Sequence, residues 1–249
     1  MAQKKPASPR RAAQAPEFPL PYTTVDVVIF TVLDNALQVL LVQRPAEAGE
    51  PFPGCWALPG GFVDVAVDAT LEDCARRKLL DKTGVTSPYL EQLGSWGSAM
   101  RDPRGWSATH VWFALMPAQD VTLARGANAA EVAWFAVDAV TRARGLAFDH
   151  DDILQAAVER LRSKVEYTSL PAFLLAEPFT LPQLQRMYEV VLGRPVDKSG
   201  FRTRMLAAGF LKEDGHVAGE SNRPALGYRL MDRSTPVVFP RTFSPRGGD

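Results

Sequence analysis

The segment LPGGFVDVAVDATLEDCARRKLLDKTGV, residues 58–85, decides how the first half of this chain is read. Its opening glycines and apolar residues suit a loop running into a short strand. From Leu71 the apolar positions recur at helical spacing: Leu71, Cys74 or Ala75, then the Lys78 stem or Leu79, with Gly84 as the stop. Residues three and four apart share a helical face, which gathers Lys78, Asp81 and Lys82 beside Arg77. Such a face is either a solvated surface or a cradle for an anion. Arg77 correspondingly reads either as a ligand contact or as a structural ion-pair partner.

Upstream, YTTVDVVIFTVLDNALQVLLVQRP (22–45) reads as two strands joined at Asp34-Asn35, a dipeptide that tolerates the positive φ of a tight hairpin. Downstream, residues 88–117 supply two more strands around a polar loop, and 129–140 another strand. DHDDILQAAVERLRSKV (149–165) is an amphipathic helix with Asp at its start, where His150 reads as a cap rather than a catalyst. The texture then changes to three helical patterns (170–177, 180–193, 197–209) and two short strands within 210–230. Helix, helix, helix, hairpin is the order of a winged helix-turn-helix.

The chain has 249 residues, 46% hydrophobic, enough for a core in each of two domains. With 28 basic and 28 acidic residues the net charge is zero, so affinity for nucleic acid must come from a local patch. Cys55 and Cys74 lack metal-type spacing and fit reduced thiols. No apolar run reaches the roughly 18 residues of a membrane span, and no signal-peptide core opens the chain, so a cytoplasmic protein is expected. We divide it into a disordered tail at 1–18, a first domain at 19–163, a winged-helix domain at 164–238 and a second disordered tail at 239–249. In the first tail, Lys4, Lys5, Arg10 and Arg11 serve solubility or weak phosphate attraction.

Residues 58–85 resemble the Nudix box, G-x5-E-x7-R-E-U-x-E-E-x-G-U with U aliphatic. That pattern projects carboxylates from one helical face to hold divalent cations against a diphosphate. Aligned on Arg77 and Gly84-Val85, the chain keeps Arg77, Leu79 and the glycine, but the acid positions read Ala69, Lys78, Asp81 and Lys82. Asp68 offers an alternative match, and the run from Gly61 is two residues longer than the pattern. Ammonium groups oppose a metal directly, so metal-dependent hydrolysis should be feeble or absent. The motifs in order, LLVQRP, WALPGGF, RDPRGW and LAFDHDDIL, resemble the Nudix branch that handles ADP-ribose and cover roughly residues 22–163. The resemblance implies an α/β/α sandwich with a mixed sheet. It also implies an effector pocket drawing on Arg44, Phe62, Arg77, Lys78, Asp81, Lys82, Arg101 and Arg104, with Trp56 and Trp106 as further stacking surfaces. No catalytic or metal-binding residue and no cofactor is assigned.

In the second half, F-T-L-x-x-L-Q-x-x-Y-E-x-x-L-G, then D-K-S-x-F-R-x-x-x-L, then R-P-A-x-x-Y-R resemble the C-terminal domain of NrtR-type Nudix-related transcriptional regulators. The residues agree on their own terms. Thr180 can cap a helix holding Leu184, Met187 and Val191, and Asp197 can cap one burying Phe201 and Met205. From Arg186 to Lys212 six basic residues (Arg186, Arg194, Lys198, Arg202, Arg204, Lys212) face two acids (Glu189, Asp197), a balance of +4. We assign DNA contacts to Arg194, Lys198, Ser199, Arg202, Thr203, Arg204 and, on the wing, Arg223. The alternative is a winged helix used for protein contacts.

The expectation is a homodimeric α/β repressor whose non-catalytic Nudix domain senses a nucleotide sugar such as ADP-ribose, in NAD metabolism, with operator DNA as partner. The rival is an active ADP-ribose pyrophosphatase with an accessory domain, using Asp68, Asp81 and Glu72 for magnesium. A third reading is an adaptor with neither ligand nor DNA. Operator, regulated genes, effector and direction of control are not legible.

Overall fold

A computed structural model describes residues 19–86, 89–123, 130–218 and 224–239. The expected tail at 1–18 and most of that at 239–249 lie outside these residues. Phe239 does not belong to a tail: it is buried, and its N–H donates to the Tyr167 carbonyl at 2.7 Å.

The centre of the first unit is β1 (Tyr22–Leu33), which turns through Asp34 (φ 49°) and Asn35 (φ 58°) into β2 (Ala36–Gln43). Both turn residues take the positive φ that this hairpin class demands. The two strands pair only from Phe30–Leu33 to Ala36–Val39. Beyond that they fork. β3 (Trp56–Ala57) pairs with the end of β2, and β4 (Gly60–Phe62) pairs with the start of β1, so the segment quoted at the outset fills the fork. On its other edge β1 runs parallel to β6 (Ser107–Leu115), which pairs antiparallel with β5 (Tyr89–Ser98). β7 (Glu131–Ala136) completes a mixed seven-stranded sheet against β2.

Alternation along β1 sends Val25, Val27 and Ile29 to one face and Val28 and Phe30 to the other. The first set packs on α1 (Leu71–Thr83) through Cys74, Ala75 and Leu79. The second packs on α3 (His150–Val165) through Ile153, Leu154, Ala157, Val158 and Leu161, spaced three and four apart. The sheet is thus sandwiched between helices. Thr70 opens α1 with a reciprocal capping box to Asp73, and Gly84 closes it at φ 68°. A short helix, α2 (Val137–Ala143), follows β7 where only strand was expected.

In the second unit the first expected helix is instead a five-residue 3₁₀ turn, Leu170–Leu174, buried at every position. Apolar all round and carrying Pro171, it fills the interior rather than presenting one face. α4 (Leu181–Leu192) starts at a Thr180–Gln183 capping box, and α5 (Lys198–Ala207) at Asp197, whose carboxylate accepts from Gly200 N–H at 2.6 Å. β8 (Leu211–Ala218) and β9 (Pro224–Leu230) form the hairpin. One apolar cluster runs from Val28 and Leu115 through Leu161 and Phe173 to Leu184, Phe201 and Phe239, so the two units share an interior. Tyr89 and Phe173 meet across it with ring centroids 5.3 Å apart.

Candidate functional site

The fork between β1 and β2 opens into a cavity of about 660 Å³, inside the range of roughly 300–1,000 Å³ usual for small-molecule sites. β1 contributes Thr24 and Asp26, β2 and its end Val42 and Arg44, β4 Gly60, Gly61 and Phe62, and α1 Arg77, Lys78 and Lys82. Arg101, Asp102 and Arg104 enter from the β5–β6 loop, Phe148 and His150 from the start of α3. Cations outnumber acids on this wall, since Asp26, Glu50, Asp64 and Asp102 face six Lys and Arg side chains.

Several of those cations are already engaged. Arg77 forms a two-pronged pair with Asp68, at 2.7 and 2.5 Å, which holds that carboxyl well below its usual range and ties the 64–70 loop to α1. Both Asp68 oxygens are thereby engaged by Arg77. Arg101 is buried, with its guanidinium donating to Asp149 (2.9 and 2.9 Å) and Ser107 (3.2 Å). Arg104 pairs with Asp102 at 2.7 Å and lies 5.0 Å over the Phe62 ring. Arg44 donates to the Pro51 carbonyl at 2.6 Å and to Glu50 at 2.9 Å. Lys78 projects towards β4, where a Cβ on Gly61 would stand 3.0 Å from its Nζ. Burial draws the Lys82 amine down from its ordinary pKa, and Lys78 adds to that against the pull of Asp81.

At the other end of α3, α5 presents Lys198, Ser199, Arg202 and Thr203 on one exposed strip while Phe201 and Met205 face inward. Arg204 points back: it donates to the Glu166 carbonyl at 3.2 Å and covers the Phe239 ring at 4.9 Å. Arg194, also exposed, sits 3.4 Å from Glu166. Arg186 is directed into the first unit, onto Asn35 at 3.0 Å.

Residues 23–157 match the NUDIX domain model, and 171–230 match the NrtR DNA-binding winged helix domain. An ADPR responsive transcriptional repressor NtrR of Acinetobacter baylyi is 43% identical over 230 residues, 92% of this chain and 89% of the relative. The chain belongs to the NrtR family. Among solved members, Shewanella oneidensis NrtR complexed with a 27mer DNA superposes with a TM-score of 0.79 at 43% identity, covering 88% of this chain and 98% of that one. The NUDIX domain of the same protein complexed with ADP ribose gives 0.53 at 44% identity, over 58% and 90%.

Within this NrtR-family chain, the cavity brings together seven of the eight residues expected at the effector site: Arg44, Phe62, Arg77, Lys78, Lys82, Arg101 and Arg104. Asp81 does not line it; on α1 it points to solvent. Arg101 lines the cavity but is buried, with three of its five N–H donors already given to Asp149 and Ser107. Arg204 is exposed as well, but its head turns away from the Lys198–Arg202 strip towards Glu166 and Phe239. Arg223 lies outside the described residues. Trp56 packs edge-on against Phe135 at 4.6 Å in the core, and half-exposed Trp106 is not among the cavity residues. His150 does not cap α3; its Nδ1 accepts the Leu58 N–H at 2.9 Å, and Asp149, at the cap position, gives its carboxylate to Arg101. Sequence reasoning missed Asp26, though a lone acid amid VDVVIF was a signal, because buried acids call for partners.

The Nudix pattern implies a divalent cation, and the donor set here does not fit one. Among the described residues no three His, Cys, Asp or Glu side chains converge, and Lys78 and Lys82 occupy two of the acid positions.

Proposed function

We propose that this chain is a transcriptional repressor that grips operator DNA through α5 and is controlled by ADP-ribose held, uncut, in the cavity. The observation that carries the reading is one helix, α3, with the cationic cavity at its first turn and the recognition helix at its last. His150 lines the cavity, and the Glu166 carbonyl just past Val165 accepts from Arg204 of α5. Lys78 and Lys82 attract the diphosphate without a metal. A homodimer sets two α5 helices about 34 Å apart on a near-palindromic site, with regulated genes in NAD metabolism. The two units meet near residues 163–168.

An electrophoretic mobility shift with the chain's own upstream region, titrated with ADP-ribose, tests this directly. We expect a salt-sensitive complex whose Kd changes with ligand. Absence of any complex, or a Kd indifferent to ADP-ribose, overturns it. A parallel turnover assay with magnesium addresses hydrolysis: brisk cleavage of ADP-ribose, abolished by Asp81→Ala, would restore the enzyme reading.

A further inference from the structure

α3 joins the cavity to α5 as one strut, and a second connection leaves the cavity along the β1–β2 hairpin. β1 lines the fork with Thr24 and Asp26, β2 and its end with Val42 and Arg44. From Asp26 to Leu33 the strand advances seven residues, about 23 Å at roughly 3.3 Å each. The paired part, Phe30–Leu33 against Ala36–Val39, closes at the Asp34-Asn35 turn. Strands held by a ladder move as one piece, so what spreads or narrows the fork at its open end is felt at the turn.

That turn lies against the second unit. Arg186 of α4 donates from Nε to the Asn35 side-chain oxygen at 3.0 Å. Turn geometry does not explain the asparagine: at φ 58° a glycine would serve the backbone as well, and Asp-Gly is a preferred pair in such hairpins. What glycine would lack is the amide oxygen. Packing does not explain the arginine, whose side chain is half-exposed. Beside the bond lies a cleft of about 410 Å³, lined among others by Ala36, Leu37, Ala136, Arg162 and Val190, so the bond crosses the edge of open space.

Beyond Arg186 the contacts run on to the reading helix. Its Nη1 stands 3.9 Å from Glu189 Oε2, while Glu189 Oε1 accepts from the Val196 N–H at 3.1 Å and from Gln185 at 3.0 Å. Gln185 also donates to the Val196 carbonyl at 3.0 Å. Val196 is thus held at both backbone groups, one residue before Asp197, which caps α5. We propose that Arg186 is a positioning residue: its bond to Asn35 relays the state of the fork to the start of α5 and sets how strongly ligand in the cavity changes operator affinity. This rests on reading the cavity as an ADP-ribose receptor and α5 as the DNA reader.

Fluorescence anisotropy of labelled operator with the full chain, with and without saturating ADP-ribose, tests the relay; the ratio of the two Kd values is the readout. Asn35→Gly keeps the turn and removes the acceptor, Arg186→Met removes the donor from the other side, and Asn35→Asp keeps an acceptor oxygen. The wild-type ratio should depart from one by at least about fivefold, Asn35→Gly and Arg186→Met should bring it within about twofold of one, and Asn35→Asp should keep it. Ligand-free operator Kd and the calorimetric Kd for ADP-ribose should stay within about threefold of wild type in all three. The double variant Asn35→Gly with Arg186→Met should behave like either single one, since both cut the same link. A wild-type ratio retained in Asn35→Gly and Arg186→Met overturns the relay. Loss of ligand-free operator binding or of ADP-ribose binding in those variants overturns it too, because the bond is then a prop of the fold. A ratio of one in the wild type overturns the receptor reading itself.

Discussion

Arg202 and Arg204 stand two positions apart on α5, about 200° of helical rotation, and their heads go opposite ways. Arg202 is exposed on the strip with Lys198, whereas Arg204 is held by the Glu166 carbonyl and the Phe239 ring. Arg202→Ala should therefore lower the salt slope of operator binding by about one, and weaken binding by about 1–3 kcal/mol if it reads a guanine. Arg204→Ala should leave that slope unchanged and lower thermal stability instead; equal slopes for both variants would contradict the geometry. A second expectation concerns thiols. Burial, reinforced by Asp68, pushes the Cys74 thiol up to about 11, so at neutral pH it stays protonated and shielded. A thiol reagent should find Cys55 in the native protein and Cys74 only after unfolding. Acid gives a third. Asp68 titrates below its unfolded value, so its contribution is present above about pH 4 and is lost as pH falls through the folded value. In Asp68→Asn that acid-dependent part of the stability should vanish, as melting curves at pH 7 and pH 3 would read.

At the level of elements, caps and turns were legible because each depends on a few neighbouring residues. Thr180, Asp197, Gly84 and the Asp34-Asn35 turn all stand as the sequence indicated. Thr180→Ala should cost about 1 kcal/mol, measured by denaturant unfolding. The 3₁₀ turn at Leu170–Leu174 and helix α2 were not legible, because burial by distant chain decides both. The same holds for side-chain direction. The family resemblance brought Arg44, Lys78 and Lys82 to one cavity, yet could not say that Asp149 would pair with Arg101 or that Thr109 would meet Asp26. Those are outcomes of partners 48 and more residues away.

For the whole molecule, linkage makes the proposed control reciprocal. Whatever factor ADP-ribose imposes on operator affinity, operator DNA must impose on ADP-ribose affinity. Titrating ligand into free and DNA-bound protein should return the same ratio; unequal ratios would mean that the two events are not a single coupled equilibrium. The continuous apolar cluster from Val28 to Phe239 carries one more consequence. Sensor and reader cannot be cut apart without baring Phe173, Leu174 and Leu184 on one piece and Leu115 and Leu161 on the other. The reader is thus unsuited to grafting onto a foreign receptor, and a lineage that exchanged one half would have had to refit the seam as well.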